Sequence, residues 1–162
     1  MRISAVEEHG LRCLMALANA SCEDHSSTIS SIAAAEGLSV QYAAKLVSIL
    51  RRGKLVVSER GVKGGIRLAR PPRDITLEDA VLVLEGGPGK MRSCLSGTEC
   101  SRHAACGLRN VWDTITRLMF GVLSRVTLEN LVRVTGKDSV AQVDVFSLFP
   151  QPFISASKEG DS

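Results

Sequence analysis

Residues 27–57 constrain the fold of this chain more than any other segment. They read STISSIAAAEGLSVQYAAKLVSILRRGKLVV. Thr28 is an N-cap residue for a short helix that Gly37 ends, and Ser39 is the N-cap of a second helix of about twelve residues. The apolar positions expected to face the core are Ile32, Ala35, Leu46, Ile49 and Leu50. Two helices joined by a short glycine-containing turn indicate a helix-turn-helix unit.

The next segment, residues 54–70, alternates in the manner of two β-strands. It reads KLVVSERGVKGGIRLAR, with a glycine-rich turn between the two apolar runs. This pattern predicts a β-hairpin. Directly after a helix-turn-helix, such a hairpin is typical of a wing, so the predicted fold is mainly α with a small β-wing.

Four further helices complete the predicted fold, the last a short one over 127–132. Ser4 and Glu7 form a capping box for a helix at the start of the chain, and Thr76 and Asp79 form one for a helix after the hairpin. A long amphipathic helix is predicted over 107–124. Its apolar residues are Leu108, Val111, Trp112, Ile115, Leu118, Met119, Val122 and Leu123.

The long helix completes the expected organisation of the chain. Its apolar stripe is wider than one short winged domain needs, so we expect it to dimerise; the alternative is an intramolecular core helix. The predicted regions are a winged helix-turn-helix DNA-binding region at 1–87, a cysteine-rich loop at 88–106, a dimerisation helix region at 107–135 and a flexible tail at 136–162.

Positive charge is concentrated on the predicted winged helix. The whole chain carries +3, whereas residues 39–70 contain eight Lys or Arg and one acid, Glu59, which gives a local charge of +7. Neutralising the phosphates of nucleic acid requires such a patch. A solvated positive face is the alternative, but the coincidence with the helix-turn-helix favours binding of double-stranded DNA.

The second helix of the helix-turn-helix is expected to enter the major groove, where its first residues meet base edges. Gln41 and Tyr42 are the predicted readers, although Tyr42 could instead pack against the first helix of the chain. Lys45 is expected at a phosphate, and the wing-tip residues at the backbone or in a minor groove. The predicted DNA-binding residues are Ser39, Gln41, Tyr42, Lys45, Arg60 and Lys63.

Three of the five cysteines lie close together, at Cys94, Cys100 and Cys106, with five residues in each gap. No apolar run is long enough to span a bilayer and the first residues do not resemble a signal peptide, so we expect a cytoplasmic protein. In a reducing compartment, clustered thiols favour metal or redox chemistry over disulfides. Gaps of five suit zinc less well than an iron–sulfur cluster. A reduced loop or a thiol switch is the alternative.

The order of these segments resembles the IscR/NsrR/RirA superfamily of iron–sulfur transcription regulators. The resemblance covers roughly residues 1–133 and includes GLRCLMALA, the helix-turn-helix, SERGVKGGIRLARPPRDITLEDAV, the cysteine loop and VTLENLV. It implies a homodimer that binds palindromic promoter sites and holds a [2Fe–2S] cluster, the favoured type, or a [4Fe–4S] cluster. It also implies that the three loop cysteines are ligands. Two departures are Arg109, where the IscR-like branch has a histidine, and the pair Ala43 and Ala44, where many members have Leu-Glu.

A fourth cluster ligand is expected as well. Glu8 matches the position at which the NsrR-like branch supplies a carboxylate from the partner subunit, and His103 inside the loop is the alternative. Glu7 is occupied in its capping box, and Cys13 is expected to be a small buried residue.

Together these observations predict a dimeric DNA-binding transcriptional regulator whose operator binding is switched by an iron–sulfur cluster that senses iron–sulfur status, nitric oxide or redox state. The sequence contains no Ser/His/Asp set, phosphate-binding loop or HExxH motif, so no enzymatic activity is expected. Two alternatives remain: a regulator of the same fold that uses a thiol switch or a small metabolite, and a thiol-redox protein without a DNA role.

Overall fold

The computed structural model describes residues 3–22, 26–59, 64–86 and 107–134. Most of them are helical, and one antiparallel hairpin is present. In chain order the elements are α1 (Ala5–Cys22), α2 (Ile29–Glu36), α3 (Val40–Arg52), β1 (Val56–Glu59), β2 (Gly65–Leu68), a 3-10 turn (Pro72–Asp74), α4 (Leu77–Leu84), α5 (Gly107–Leu123) and α6 (Leu128–Val134). A mainly α fold with a small β-wing is therefore confirmed.

Helix α1 lies at the centre of the fold. It contacts α2, α3, α4, β2 and α6, and its residues Leu14 and Leu17 are fully buried together with Leu46 and Leu50 of α3. The capping box at its start forms, because the backbone N–H of Glu7 donates to Ser4 Oγ and the N–H of Ser4 donates to the Glu7 carboxylate. The core is built mainly of aliphatic side chains, in keeping with the small number of aromatic residues in the sequence.

The helix-turn-helix begins and ends where its capping residues predict. Thr28 accepts the backbone N–H of Ser31, and Gly37 ends α2 in the left-handed conformation with φ of 65°. The expectation for Ala35 is wrong: Ala35 is exposed and Ala33 is buried in its place. The inward face of so short a helix depends on how it packs against α1 and α3, and those long-range contacts are absent from the local pattern.

The hairpin is fixed to the helix-turn-helix by backbone hydrogen bonds. Strands β1 and β2 pair antiparallel with Val56 opposite Leu68 and Glu59 opposite Gly65. Ile66 also exchanges two backbone hydrogen bonds with Ser27, which lies just before α2, at 3.1 and 2.7 Å. Since Ile66 is buried, the inner face of the hairpin packs on the body while its outer face meets solvent.

Helix α5 is joined to the body at its C-terminal end. The backbone of Leu77 donates to the carbonyl of Val126 at 2.8 Å, and Leu128 donates to the carbonyl of Ile75 at 2.9 Å. Ile75 and Leu128 are fully buried. The predicted capping box of α4 is also confirmed, with Thr76 and Asp79 as its members.

The apolar stripe of α5 is largely exposed in a single chain. Its exposed members are Leu108, Val111, Trp112, Ile115 and Leu118. The predicted cysteine-rich loop and the predicted tail lie outside the described residues, so the proposed division into regions stays a prediction.

Within the described ranges, no helix combines the length and the apolarity needed to cross a membrane.

Candidate nucleic-acid interface

The start of α3 is fixed by Ser39. Its side-chain oxygen accepts the backbone N–H of Tyr42 at 3.2 Å, and its backbone is extended, as an N-cap requires. Ser39 is exposed. The residue therefore defines where the helix begins, and its role in DNA binding stays a prediction.

One face of α3 carries exposed polar and charged side chains at helical spacing. Gln41, Lys45 and Arg52 are exposed and Ser48 is half-buried; intervals of four, three and four residues put them on one side of a helix. Val40, at the first helical position, is 52% exposed. The sequence analysis did not predict Val40, Ser48 or Arg52 as DNA-binding residues. The helical spacing from Gln41 would have identified Ser48 and Arg52 as members of the same face.

Tyr42, the second predicted reader, contacts α1. Its hydroxyl donates to the backbone carbonyl of Ala5 at 3.3 Å and lies 3.4 Å from His9 Nδ1. The rings of Tyr42 and His9 meet edge to face, with their centroids 5.6 Å apart. This is the packing that the sequence left open as the alternative, and a contribution of Tyr42 to base reading stays a prediction.

The positive charges of the basic segment differ in whether a carboxylate neutralises them. Arg67 pairs with Glu59 across the hairpin, and Arg70 pairs with Asp79 of α4 at 3.1 Å. The cations without an ion pair in the described part of the segment are Lys45, Arg51, Arg52 and Lys54. Within the described part of the segment, the uncompensated positive charge therefore lies on α3 and the residues directly after it.

The end of α3 has an uncommon backbone conformation. Lys54 has a φ of 58°, in the left-handed region that favours glycine. The N–H groups of Lys54 and Leu55 bond the carbonyls of Arg51 and Leu50, both at 3.0 Å. This is a Schellman motif with lysine at the position where glycine is usual. The strained position thus holds a cation at the C-terminal end of the helix.

The two wing-tip residues, Arg60 and Lys63, lie outside the described residues. The strands that lead to them are described, and their register places Glu59 opposite Gly65 at the distal end of the hairpin. In the sequence, both predicted residues lie between these two strands.

The predicted sensor residues are only partly described. Cys94, Cys100, Cys106 and His103 lie outside the described residues, and no group of three or more His, Cys, Asp or Glu side chains that could hold a metal ion occurs within the described ranges. Glu8 is exposed in the first half of α1.

Cys13 is fully buried, as expected. Burial raises the pKa of the Cys13 thiol from 9.0 to about 11, and the neighbouring Glu36 carboxylate adds to the increase. A thiol that stays protonated in the core is a poor metal ligand, because thiolate is the ligating form. Cys13 therefore belongs to the core of the fold.

Comparison with known proteins identifies relatives over most of the chain. A family model described as "Rrf2: Iron-dependent Transcriptional regulator" matches residues 3–134. The chain is 32% identical over 133 residues to the protein named rrf2 of Nitratidesulfovibrio vulgaris, and the match covers 82% of this chain and 88% of that protein.

Two solved structures have the same fold. CymR, the global cysteine regulator of B. subtilis, is 34% identical with a TM-score of 0.68, and the match covers 83% of this chain and 98% of that one. IscR of T. potens is 30% identical with a TM-score of 0.68, with 88% and 93% covered. These similarities extend beyond the winged helix to the region of α5 and α6.

Proposed function

Because this chain belongs to the Rrf2 family of transcriptional regulators, we propose that it is a homodimeric DNA-binding regulator whose operator binding is switched by an iron–sulfur cluster. The observation that carries the DNA-binding part is the set of unpaired cations on α3 and directly after it, in a winged-helix scaffold. The cluster part rests on the three loop cysteines.

DNA reading is assigned to the exposed face of α3. With α3 in the major groove, Gln41 reaches a base edge, where its amide can pair with adenine. Lys45 and Arg52 neutralise phosphates on the flanking strands. Arg60 and Lys63 are assigned to contacts with the backbone or the adjacent minor groove.

The second subunit is assigned to α5. Five apolar side chains of this helix are exposed in a single chain, and an apolar stripe of this size commonly marks an interface. A two-fold dimer presents two copies of α3 to two half-sites, so the expected operator is palindromic.

The donor set fits an iron–sulfur cluster. Cys94, Cys100 and Cys106 provide three thiols, and the exposed carboxylate of Glu8 is a candidate fourth ligand, with His103 as its alternative. Soft thiolate ligands suit such clusters. A bound cluster would supply a centre whose charge and integrity follow iron–sulfur status, nitric oxide or redox state.

The first turns of α1 provide a route from the candidate ligand Glu8 to the reading helix. His9, the next residue, packs on Tyr42 in the first turn of α3. Arg12, one turn later, bonds Glu36 at the end of α2 at 2.7 Å. A displacement of the first half of α1 therefore acts on both helices of the helix-turn-helix.

A second candidate function uses the same fold and the same cysteines without a cluster. Its support is the similarity to CymR proteins, one of which, from Staphylococcus aureus, has been solved in an oxidized form. In this alternative, oxidation or ligation of the loop thiols changes DNA binding directly.

Metal content and DNA binding, measured on the same anaerobic sample, separate the two candidates. The cluster proposal expects brown protein with iron and sulfide that loses colour in Cys94→Ser, Cys100→Ser or Cys106→Ser, whereas Cys22→Ser serves as a cysteine control outside the loop. Colourless anaerobic protein whose DNA binding responds to thiol oxidation favours the alternative.

Gln41→Ala should change sequence preference in a selection from random duplexes; unchanged preference contradicts the reader assignment.

A further inference from the structure

A cleft separates α3 from the hairpin. It has a volume of about 440 Å³ and is open to solvent, and Arg51 of α3 is one of its lining residues. Its lining residues include Thr28, Ser48, Arg51, Ser58, Glu59 and Ile66. Hydroxyl groups, one guanidinium and one carboxylate residue therefore line the cleft together with apolar side chains.

The position of the cleft matches the path of one DNA strand. If α3 occupies the major groove and the hairpin approaches the neighbouring minor groove, the strand between the two grooves runs between the two elements. Arg51 on the cleft wall has no carboxylate partner among the described residues, and Ser48 and Ser58 are potential hydrogen-bond donors. Phosphate oxygens accept from such groups.

One lining residue opposes this use. Glu59 is the only acid between residues 39 and 70, and a carboxylate beside a phosphate is repelled by it. The alternation of side chains along β1 and β2 puts Glu59 and Arg67 on the outer face of the hairpin, opposite to buried Ile66. There the two side chains form an ion pair.

From these observations we propose that the cleft binds a backbone phosphate of DNA, and that Arg67 supports this binding by holding the Glu59 carboxylate on the outer face of the hairpin. Arg51, Ser48 and Ser58 contact the phosphate. Arg67 is a positioning residue that acts through Glu59. The proposal rests on DNA binding as the proposed function and deepens it.

The competing explanation is that Arg67 contacts a phosphate itself. The two explanations differ in a double-mutant cycle. If Arg67 acts through Glu59, its loss is harmful only while the carboxylate is present. If Arg67 contacts DNA, its loss is equally harmful with Glu59 or with glutamine at that position.

The test measures the affinity of the full-length protein for an arbitrary 30-base-pair duplex over a series of salt concentrations. No operator is needed, because phosphate contacts are independent of sequence. We expect Arg67→Gln to weaken binding about fivefold in the native background and less than about twofold in a Glu59→Gln background. Arg67→Lys should retain affinity, and Arg51→Gln should lower the salt slope by about one.

The matched control is an arginine far from the cleft in sequence. Arg117→Gln removes an arginine that pairs with Asp113 at 2.9 Å on α5, and it should leave affinity unchanged. Equal losses for Arg67→Gln in both backgrounds, with a salt slope lowered by about one, would overturn the positioning role. An unchanged slope in Arg51→Gln would overturn the phosphate site. Native protein that binds no duplex would refute the proposed function as well.

Discussion

Replacing Leu118 with glutamate should convert the proposed dimer into monomers. Leu118 is 51% exposed in a single chain and belongs to the apolar stripe of α5, one turn from Ile115, which is 47% exposed. Burying the exposed half of a leucine contributes about 1 kcal/mol, and the two-fold interface contains the residue twice. Each introduced carboxylate would in addition have to be buried without a partner or be neutralised, at a further cost of at least about 1 kcal/mol.

The combined loss is at least about 4 kcal/mol, which corresponds to about a thousandfold weaker dimerisation. Sedimentation velocity across a range of protein concentrations measures this directly. Asn110→Glu is the matched control, since it adds the same charge at an exposed polar position outside the apolar stripe of α5 and should leave the dimer intact. A Leu118→Glu protein that stays dimeric at micromolar concentration would refute the assignment of α5 as the interface.

Three further predictions concern single residues. Tyr42→Phe keeps the ring on His9 but removes the hydroxyl that donates to Ala5, so the ratio of DNA affinities between cluster-loaded and cluster-free protein should fall; an unchanged ratio contradicts the coupling route. Lys54→Gly should raise the free energy of unfolding by about 0.5 kcal/mol, because relief of the left-handed strain slightly exceeds the extra unfolded-state entropy of glycine; a lower midpoint in urea would contradict this. The pKa of the native Cys13 thiol is about 11, against 9.0 for an ordinary thiol, so the thiol of the unfolded chain ionises at a lower pH than the native thiol. The stability that the protonated native thiol contributes is therefore fully present below pH 9 and is lost between about pH 9 and 11. Native Cys13 should also resist alkylation at pH 8, and a Cys13→Ala protein should lack this part of the alkaline destabilisation.

Local signals in the sequence predicted most of the fold. Capping residues such as Thr28, Ser39 and Thr76 determine where helices begin, and a cap acts over three residues of sequence. The hairpin was also predicted from local signals, namely the alternation of apolar residues and the glycines of the turn. Ala35 was assigned to the wrong face because α2 is short and its orientation depends on α1 and α3.

Features of the candidate interface that depend on distant contacts were harder to predict. The sequence could not decide whether Tyr42 reads bases or packs on α1, since the answer depends on a residue 37 positions away. The pairing of Arg67 with Glu59 depends on the register of the hairpin, and that of Arg70 with Asp79 on the position of α4. The local charge of +7 already subtracts Glu59, so only the pairing of Arg70 with Asp79 reduces it further, and among the described residues the unpaired cations lie on α3 and directly after it.

The proposals for the interface and for the fourth ligand are connected. If Glu8 ligates the cluster of the partner subunit, a monomer lacks that ligand, so Leu118→Glu should give the same altered absorption and circular dichroism spectrum as Glu8→Ala. The double variant should then be no more altered than either single variant, because both changes remove one and the same ligand. If Glu8 ligates within its own chain, the Leu118→Glu monomer should have the native spectrum while Glu8→Ala differs. If His103 is the fourth ligand, only His103→Ala should change the spectrum, and α1 would then have no direct link to the cluster.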